Sequence, residues 1–276
     1  MTKGKFSEAV ILTDLDGTFF SSKPGMVKRN LEAIEYFKAN GGRFSLATGR
    51  MHYNLDRLVP NVERLVNAPA ILCNGAYLYD FAAERAVTEH FMTPEPSLAA
   101  AMFVKGNFPD IHARVSRREG YLLFDDDEFS VRELTGYGIH TYEALHPNEW
   151  NAERWYKLVF SGAAQRINAL EKALMANFPN VFEYNRSRAT TLELQMKGTN
   201  KSSLLPAMRS YFADLGENRR VYMCGDYEND RAILAAADVA VCPSNALPEI
   251  KQICDLCLCS NDEGIIADLV GELNKE

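Results

Sequence analysis

No stretch of this 276-residue sequence comes near the roughly 18 consecutive apolar residues that a membrane-spanning helix needs. The first apolar run ends at Asp14 and Asp16, so neither a span nor a leader is expected there, and the chain reads as soluble, unprocessed and cytoplasmic. Positive charge is also short. Thirty Lys and Arg against 37 Asp and Glu leave a net charge of −7, the wrong sign for a broad phosphate-backbone surface, so no nucleic-acid partner is expected. Cysteine is sparse, at 73, 224, 242, 254, 257 and 259, with one C-x-x-C, no second copy and no histidine nearby. A structural zinc site therefore lacks its ligands. The three cysteines of the apolar run 253–259 are expected to be buried, reduced thiols in a strand, as suits a reducing compartment. Internal repeats and low-complexity segments are missing as well.

What is present is ample material for a core: 47% of residues are hydrophobic and 24% charged. The length suits two modest domains. Residues 8–13 form a short apolar run emptying into Asp14-Leu15-Asp16-Gly17-Thr18, the pattern of a buried parallel strand ending in a loop. Val27, Leu31, Ile34 and Phe37 follow at helical spacing, and Gly41-Gly42 ends that helix. Strands are expected at 43–47, ending in Thr48-Gly49-Arg50, and at 70–73, ending in Asn74-Gly75. The same alternation resumes with a helix at 203–215, strands at 220–224, 238–242 and 255–259, and helices between and after them. Alternating β and α elements predict a parallel sheet.

The middle of the chain differs. Strand-like runs at 86–92, 111–116, 121–124, 155–161, 181–184 and 191–196 surround two helical stretches, which predicts an α+β module with an antiparallel sheet inserted between two halves of the core. The expected division is 1–83 with 190–276 for the core and 84–189 for the insert. Its aromatic residues Trp150, Trp155 and Tyr156 are expected to pack rather than to form a stacking platform.

Asp14 and Asp16 stand at the tip of a strand, where open α/β sheets bind ligands, and can mean a nucleophile with an acid/base partner, a metal site or a charged turn. Thr48-Gly49-Arg50 offers a hydroxyl, an unhindered N–H and a guanidinium, all suited to phosphate oxygens. Gly225-Asp226-Tyr227-Glu228-Asn229-Asp230 brings more acids to another strand tip, as a Mg²⁺ site or a helix N-cap would need. Lys201 lies near a helix start, and Pro206 is tolerable there only if that helix begins near Ser202 or Ser203.

In this order, strand–DxDGT, strand–TGR, Lys and strand–GDxxND, the chain resembles the haloacid dehalogenase (HAD) superfamily, specifically its Cof-type, class IIB phosphatases. The resemblance spans essentially the whole chain and includes Asn74-Gly75-Ala76 and Ser260-Asn261-Asp262-Glu263-Gly264. It implies a HAD-like Rossmannoid core with an inserted α+β cap. More than half the chain separates Thr48 from Lys201, the place of the class II cap in that family. Asp14 would be the nucleophile and Asp16 the general acid/base. Mg²⁺ would be held by the carboxylates of Asp14 and Asp226 and the backbone carbonyl of Asp16. Thr48, Gly49, Lys201 and Asn229 would bind phosphate, and Asp230 would orient Lys201 or the metal's waters. Arg50 either reaches the substrate or pairs with a core acid. Arg114, Arg117, Arg118, Arg186 and Arg188 are candidates for contacts to an anionic or sugar substrate. The implied activity is Mg²⁺-dependent hydrolysis of a small phosphorylated metabolite, a sugar phosphate or a phosphorylated cofactor, through an aspartyl-phosphate. A phosphomutase or phosphotransferase, or a non-catalytic phosphometabolite-binding protein, are the alternatives.

Overall fold

Strand β1, Ala9–Thr13, carries five residues that are all buried, which only a strand covered on both faces can satisfy. The computed structural model describes residues 4–23, 25–125, 127–136 and 138–275. The strands that follow in chain order are β2 (Arg43–Leu46), β3 (Ala70–Leu72), β4 (Tyr77–Asp80), β5 (Arg85–Glu89), β6 (His112–Arg117), β7 (Gly120–Phe124), β8 (Tyr142–Leu145), β9 (Trp155–Ser161), β10 (Phe182–Arg188), β11 (Thr191–Met196), β12 (Arg220–Cys224), β13 (Val239–Pro243) and β14 (Leu256–Leu258).

A five-stranded sheet, ordered β14-β13-β12-β1-β2, is parallel throughout, with Val10 in register with both Arg43 and Val221. Helices Lys28–Ala39 and Ile265–Leu273 pack on one another. Helices Leu205–Asp214 and Arg231–Ala236 supply Met208, Phe212, Ile233 and Leu234 to a core with Val10, Leu12, Val221 and Met223. The helix after Lys201 starts later than its proline demanded. Lys201–Leu204 is a 3₁₀ turn and the α-helix opens at Leu205, which leaves Pro206 in the first turn, where no backbone donor is lost.

Two sequence expectations need correction. The run 70–73 was expected as a further strand of the parallel sheet, but only the bridge Ala47–Ile71 joins it there, and β3-β4-β5 form a separate antiparallel sheet. The cause is a reversal at Cys73-Asn74-Gly75, which turns the chain back along itself. The cysteines of 253–259 are not all buried: Cys257 is exposed and Cys254 and Cys259 are half-buried, because β14 is an edge strand paired only with β13.

By internal contacts the chain divides into 1–89 with 200–276, and 90–199. Pairing of β5 with β4 keeps it with the first unit, and β11 stays with the second unit to Met196, whereas the sequence places the divisions near 83 and 190. The second unit is a six-stranded sheet, ordered β10-β11-β9-β6-β7-β8, antiparallel except for the parallel pair β7–β8. Alternate residues Leu158 and Phe160, Leu192 and Leu194, and Ala113 and Val115 share a core with helices Pro94–Asn107 and Ala164–Asn177. Trp150 stacks on Phe124 at 3.9 Å and meets Trp155 edge-on at 5.5 Å. Both tryptophans and Tyr156 are buried, as packing requires.

Candidate active site

Asp14 follows β1 directly, at the C-terminal edge of the parallel sheet, where its N–H donates to the Cys224 carbonyl of β12 (2.9 Å). Its carboxylate is buried. Gly17 then adopts φ +82°, and a Cβ there would stand 2.3 Å from Asp226 Oδ2, so glycine is required by conformation and by space. The turn brings Thr18, also buried, to donate from Oγ1 to Asp226 Oδ1 (2.6 Å). The first motif is thus closed onto the loop after β12.

Lys201 is fully buried, and its Nζ donates to Asp14 Oδ1 (2.8 Å) and Asp230 Oδ1 (2.7 Å). Asp230, equally buried, uses Oδ2 to accept the N–H groups of Asp226 (3.1 Å) and Tyr227 (3.2 Å). Asn229 lies half-buried in the same turn. Burial pushes Asp14 up to about 7, opposed by Lys201 and reinforced by Asp230. Burial likewise lifts Asp226 to about 6, against the Thr18 hydrogen bond. For Lys201, burial disfavours the ammonium, but the adjoining carboxylates of Asp14 and Asp230 outweigh it and hold its pKa above the ordinary lysine range.

Thr48 is buried on the extension of β2. Its N–H donates to Ile71 O (2.9 Å) and its Oγ1 accepts the Arg50 N–H (3.3 Å). The Asp16 carboxylate does not join the acidic cluster. It is held in a fork by Arg50, Nε to Oδ2 at 3.0 Å and Nη2 to Oδ1 at 2.7 Å, with 62% of its side chain exposed. Arg50 is thus paired with Asp16. Of the arginines in the second unit, Arg114, Arg117 and Arg186 are paired with Glu133, Glu143 and Glu171.

Asp14, Asp226 and Asp230 each offer an oxygen within 4.8 Å of the other two. Hard carboxylate oxygens at this spacing, with one ammonium among three acids, fit a divalent cation such as Mg²⁺. Sequence reasoning found these acids but gave no role to Thr18, whose signal was its place in the D-x-D-G-T motif. It missed also Asn245, which donates to Gly17 O (2.8 Å) and accepts the Asn261 N–H (2.9 Å). Among the described residues, no helix is long and apolar enough to cross a membrane.

Comparison with known proteins agrees with this geometry. Residues 11–270 match the model of the haloacid dehalogenase-like hydrolase family. A pyridoxal phosphate phosphatase of Escherichia coli (strain K12) is 25% identical over 95% of this chain and 97% of its own. A 5-amino-6-(5-phospho-D-ribitylamino)uracil phosphatase of Bacillus subtilis (strain 168) is 21% identical over 95% and 96%. Among solved structures, a haloacid dehalogenase-like hydrolase from Bacteroides thetaiotaomicron superposes with a TM-score of 0.81 at 20% identity, covering 96% of this chain and 99% of that one. A HAD subclass IIB sugar phosphatase does so at 0.78, with the same identity and coverage. With the family's motifs gathered at one sheet edge, the chain belongs to the haloacid dehalogenase-like hydrolases.

Proposed function

We propose that this enzyme is a Mg²⁺-dependent cytoplasmic phosphatase of small phosphorylated metabolites, sugar phosphates or phosphorylated cofactors such as pyridoxal phosphate or FMN, working through an aspartyl-phosphate. The observation that carries the reading is the buried Lys201 bridging Asp14 and Asp230 beside Asp226. Lys201 engages Oδ1 of Asp14, and Oδ2 is the oxygen assigned to attack phosphorus. As that O–P bond forms, the bond from phosphorus to the ester oxygen breaks, and Asp16 gives its proton to the departing alkoxide. Water then attacks phosphorus, Asp16 takes its proton, and the Asp14–phosphorus bond breaks to release phosphate. The Arg50 fork fixes where Asp16 lies, and one of its two oxygens leaves that fork to carry the proton, on a side chain that is largely exposed.

An ammonium has three N–H donors, and two of those on Lys201 go to Asp14 and Asp230, which leaves the third for a phosphoryl oxygen. Thr48 and Gly49 supply further donors, Asn229 supports the phosphate, and Asp230 fixes the aim of Lys201. Mg²⁺ would be held by Asp14, Asp226 and the Asp16 carbonyl, where it neutralises charge between an anionic nucleophile and an anionic ester. The unit 90–199 is assigned as the α+β cap domain. Inorganic phosphate release from a panel of monoesters, with Mg²⁺ and with EDTA, tests the reading alongside Asp14→Asn. Release that needs the metal and vanishes in a folded Asp14→Asn supports it. Undiminished turnover in that variant refutes the nucleophile, and transfer to another hydroxyl without free phosphate would mark a phosphotransferase.

A further inference from the structure

Cys73, Asn74 and Gly75 have φ values of +51°, +50° and +89°. Three successive left-handed residues, two of them with side chains, are unfavourable unless their surroundings demand them. What surrounds this turn is the phosphate-binding apparatus assigned above. On one side, the N–H of Asn74 donates to Thr48 O and that of Cys73 to Arg50 O, both at 3.0 Å, so the turn grips the loop that carries Thr48 from both ends. The Asn74 side chain, itself 5% exposed, fills the space beside Gly49: a Cβ on Gly49 would lie 2.8 Å from Asn74 Oδ1 and 3.2 Å from Nδ2.

On the other side, a Cβ on Gly75 would stand 1.9 Å from the carbonyl oxygen of Asn200, the residue before Lys201. Ser203 Oγ reaches Gly75 O (3.2 Å) and Asn200 O (2.7 Å), and Asn200 Oδ1 accepts the Ser202 N–H (2.9 Å) that opens the Lys201 turn. The turn is therefore in contact with the Thr48 loop on one face and the Lys201 turn on the other, and neither contact leaves room for a methyl group.

The geometry points to the Asn74-Gly75 turn as the spacer that sets Thr48-Gly49 against Lys201, with Asn74 as a positioning residue that acts by wedging its amide against Gly49. The inference rests on the phosphate-binding roles proposed for those residues. Asparagine tolerates the left-handed region, so the conformation alone does not account for its amide, and the contact with Gly49 does. Preorganised donors lose about 100-fold in rate for a displacement near 1 Å, which sets the expected scale.

The test uses Asn74→Gly, which keeps the backbone conformation and removes the wedge, Gly49→Ala, which collides with it, and the two combined. Inorganic phosphate affinity with Mg²⁺, kcat/KM on the best monoester and the thermal midpoint are measured for each. Each single variant is expected to lose about 10- to 100-fold in both phosphate affinity and kcat/KM, with little change in midpoint. The double variant is expected to recover most of that loss, because the new methyl occupies the vacated space. Wild-type affinity and turnover in Asn74→Gly, or a double variant as poor as the product of the singles, would overturn the inference. If Asn74→Gly does not fold, Asn74→Ser serves instead: its shorter side chain withdraws the wedge from Gly49, and it must weaken phosphate binding. A wild type that hydrolyses no ester yet binds phosphate, with Asn74→Gly weakened, would sink the phosphatase reading and sustain this one. A wild type that does neither would sink both.

Discussion

Replacing Lys201 by methionine tests the central cluster most directly, because it keeps the length of the side chain and removes its charge and donors. In the native protein the ammonium is fully buried between Asp14 at 2.8 Å and Asp230 at 2.7 Å, whose side chains are 7% and 0% exposed. Lys201→Met leaves two carboxylates facing each other without a cation. Breaking a buried ion pair by removing one partner costs about 3–5 kcal/mol, a large part of a total stability of about 5–15 kcal/mol. At about 2–4 °C per kcal/mol, the unfolding midpoint near pH 8 should fall by roughly 10 °C. The deficit should shrink toward pH 5, where the acids take up protons, and Mg²⁺ should restore part of the stability without restoring turnover. Both tryptophans, Trp150 and Trp155, lie in the other unit, so a probe that reports on the unit holding Lys201 is needed. Calorimetry or far-ultraviolet circular dichroism is the suitable assay. An unchanged midpoint at pH 8 would refute the claim that Lys201 holds the two carboxylates together.

With Asp14 raised to about 7 and Asp226 to about 6, the folded chain holds protons that the unfolded chain, with ordinary carboxyl groups, releases. Stability without a divalent cation should therefore fall by a few kcal/mol as pH rises from about 4 to 7, and Mg²⁺ should flatten that fall. Melting curves in EDTA and in Mg²⁺ that stay superposed above pH 7 would show that these acids hold no cation. Gly17→Ala, at φ +82° and 2.3 Å from Asp226, should cost roughly 1–3 kcal/mol from the backbone alone and weaken Mg²⁺ binding, read by denaturation and titration calorimetry. Arg50→Ala should change stability by less than about 1 kcal/mol, because the pair with Asp16 is largely solvated, yet lower turnover by leaving Asp16 unaimed. Equal turnover would make that pair a surface contact only.

Most of the parallel core could be read from the sequence because its signals are local. A run such as Ala9–Leu12 has no polar residue to send to solvent, and Asp14, Asp226 and Asp230 each follow such a run within a few residues. The acids at strand tips were legible for the same reason: parallel order places every strand's C-terminal loop at one edge. The exposure of Cys257 was not, since an apolar edge strand looks like a central one until its neighbours are known. Nor were β4 and β8 found, as short strands whose pairing depends on a turn made elsewhere.

The turn at Cys73-Asn74-Gly75 shows why such information is hidden. Asn-Gly marks a reversal in any chain, and nothing local says that it will lodge between two loops far away in sequence. The constraint is written instead as missing side chains, at Gly49 opposite Asn74 and at Gly75 opposite Asn200, where only the folded structure reveals what a Cβ would strike. The same holds for Gly17 against Asp226. Three glycines thus record the close approaches that assemble the site, while the charged residues record its chemistry. A sequence shows the second kind of residue by type and spacing. It shows the first only as a small residue in a loop, with its reason supplied by a partner elsewhere in the chain.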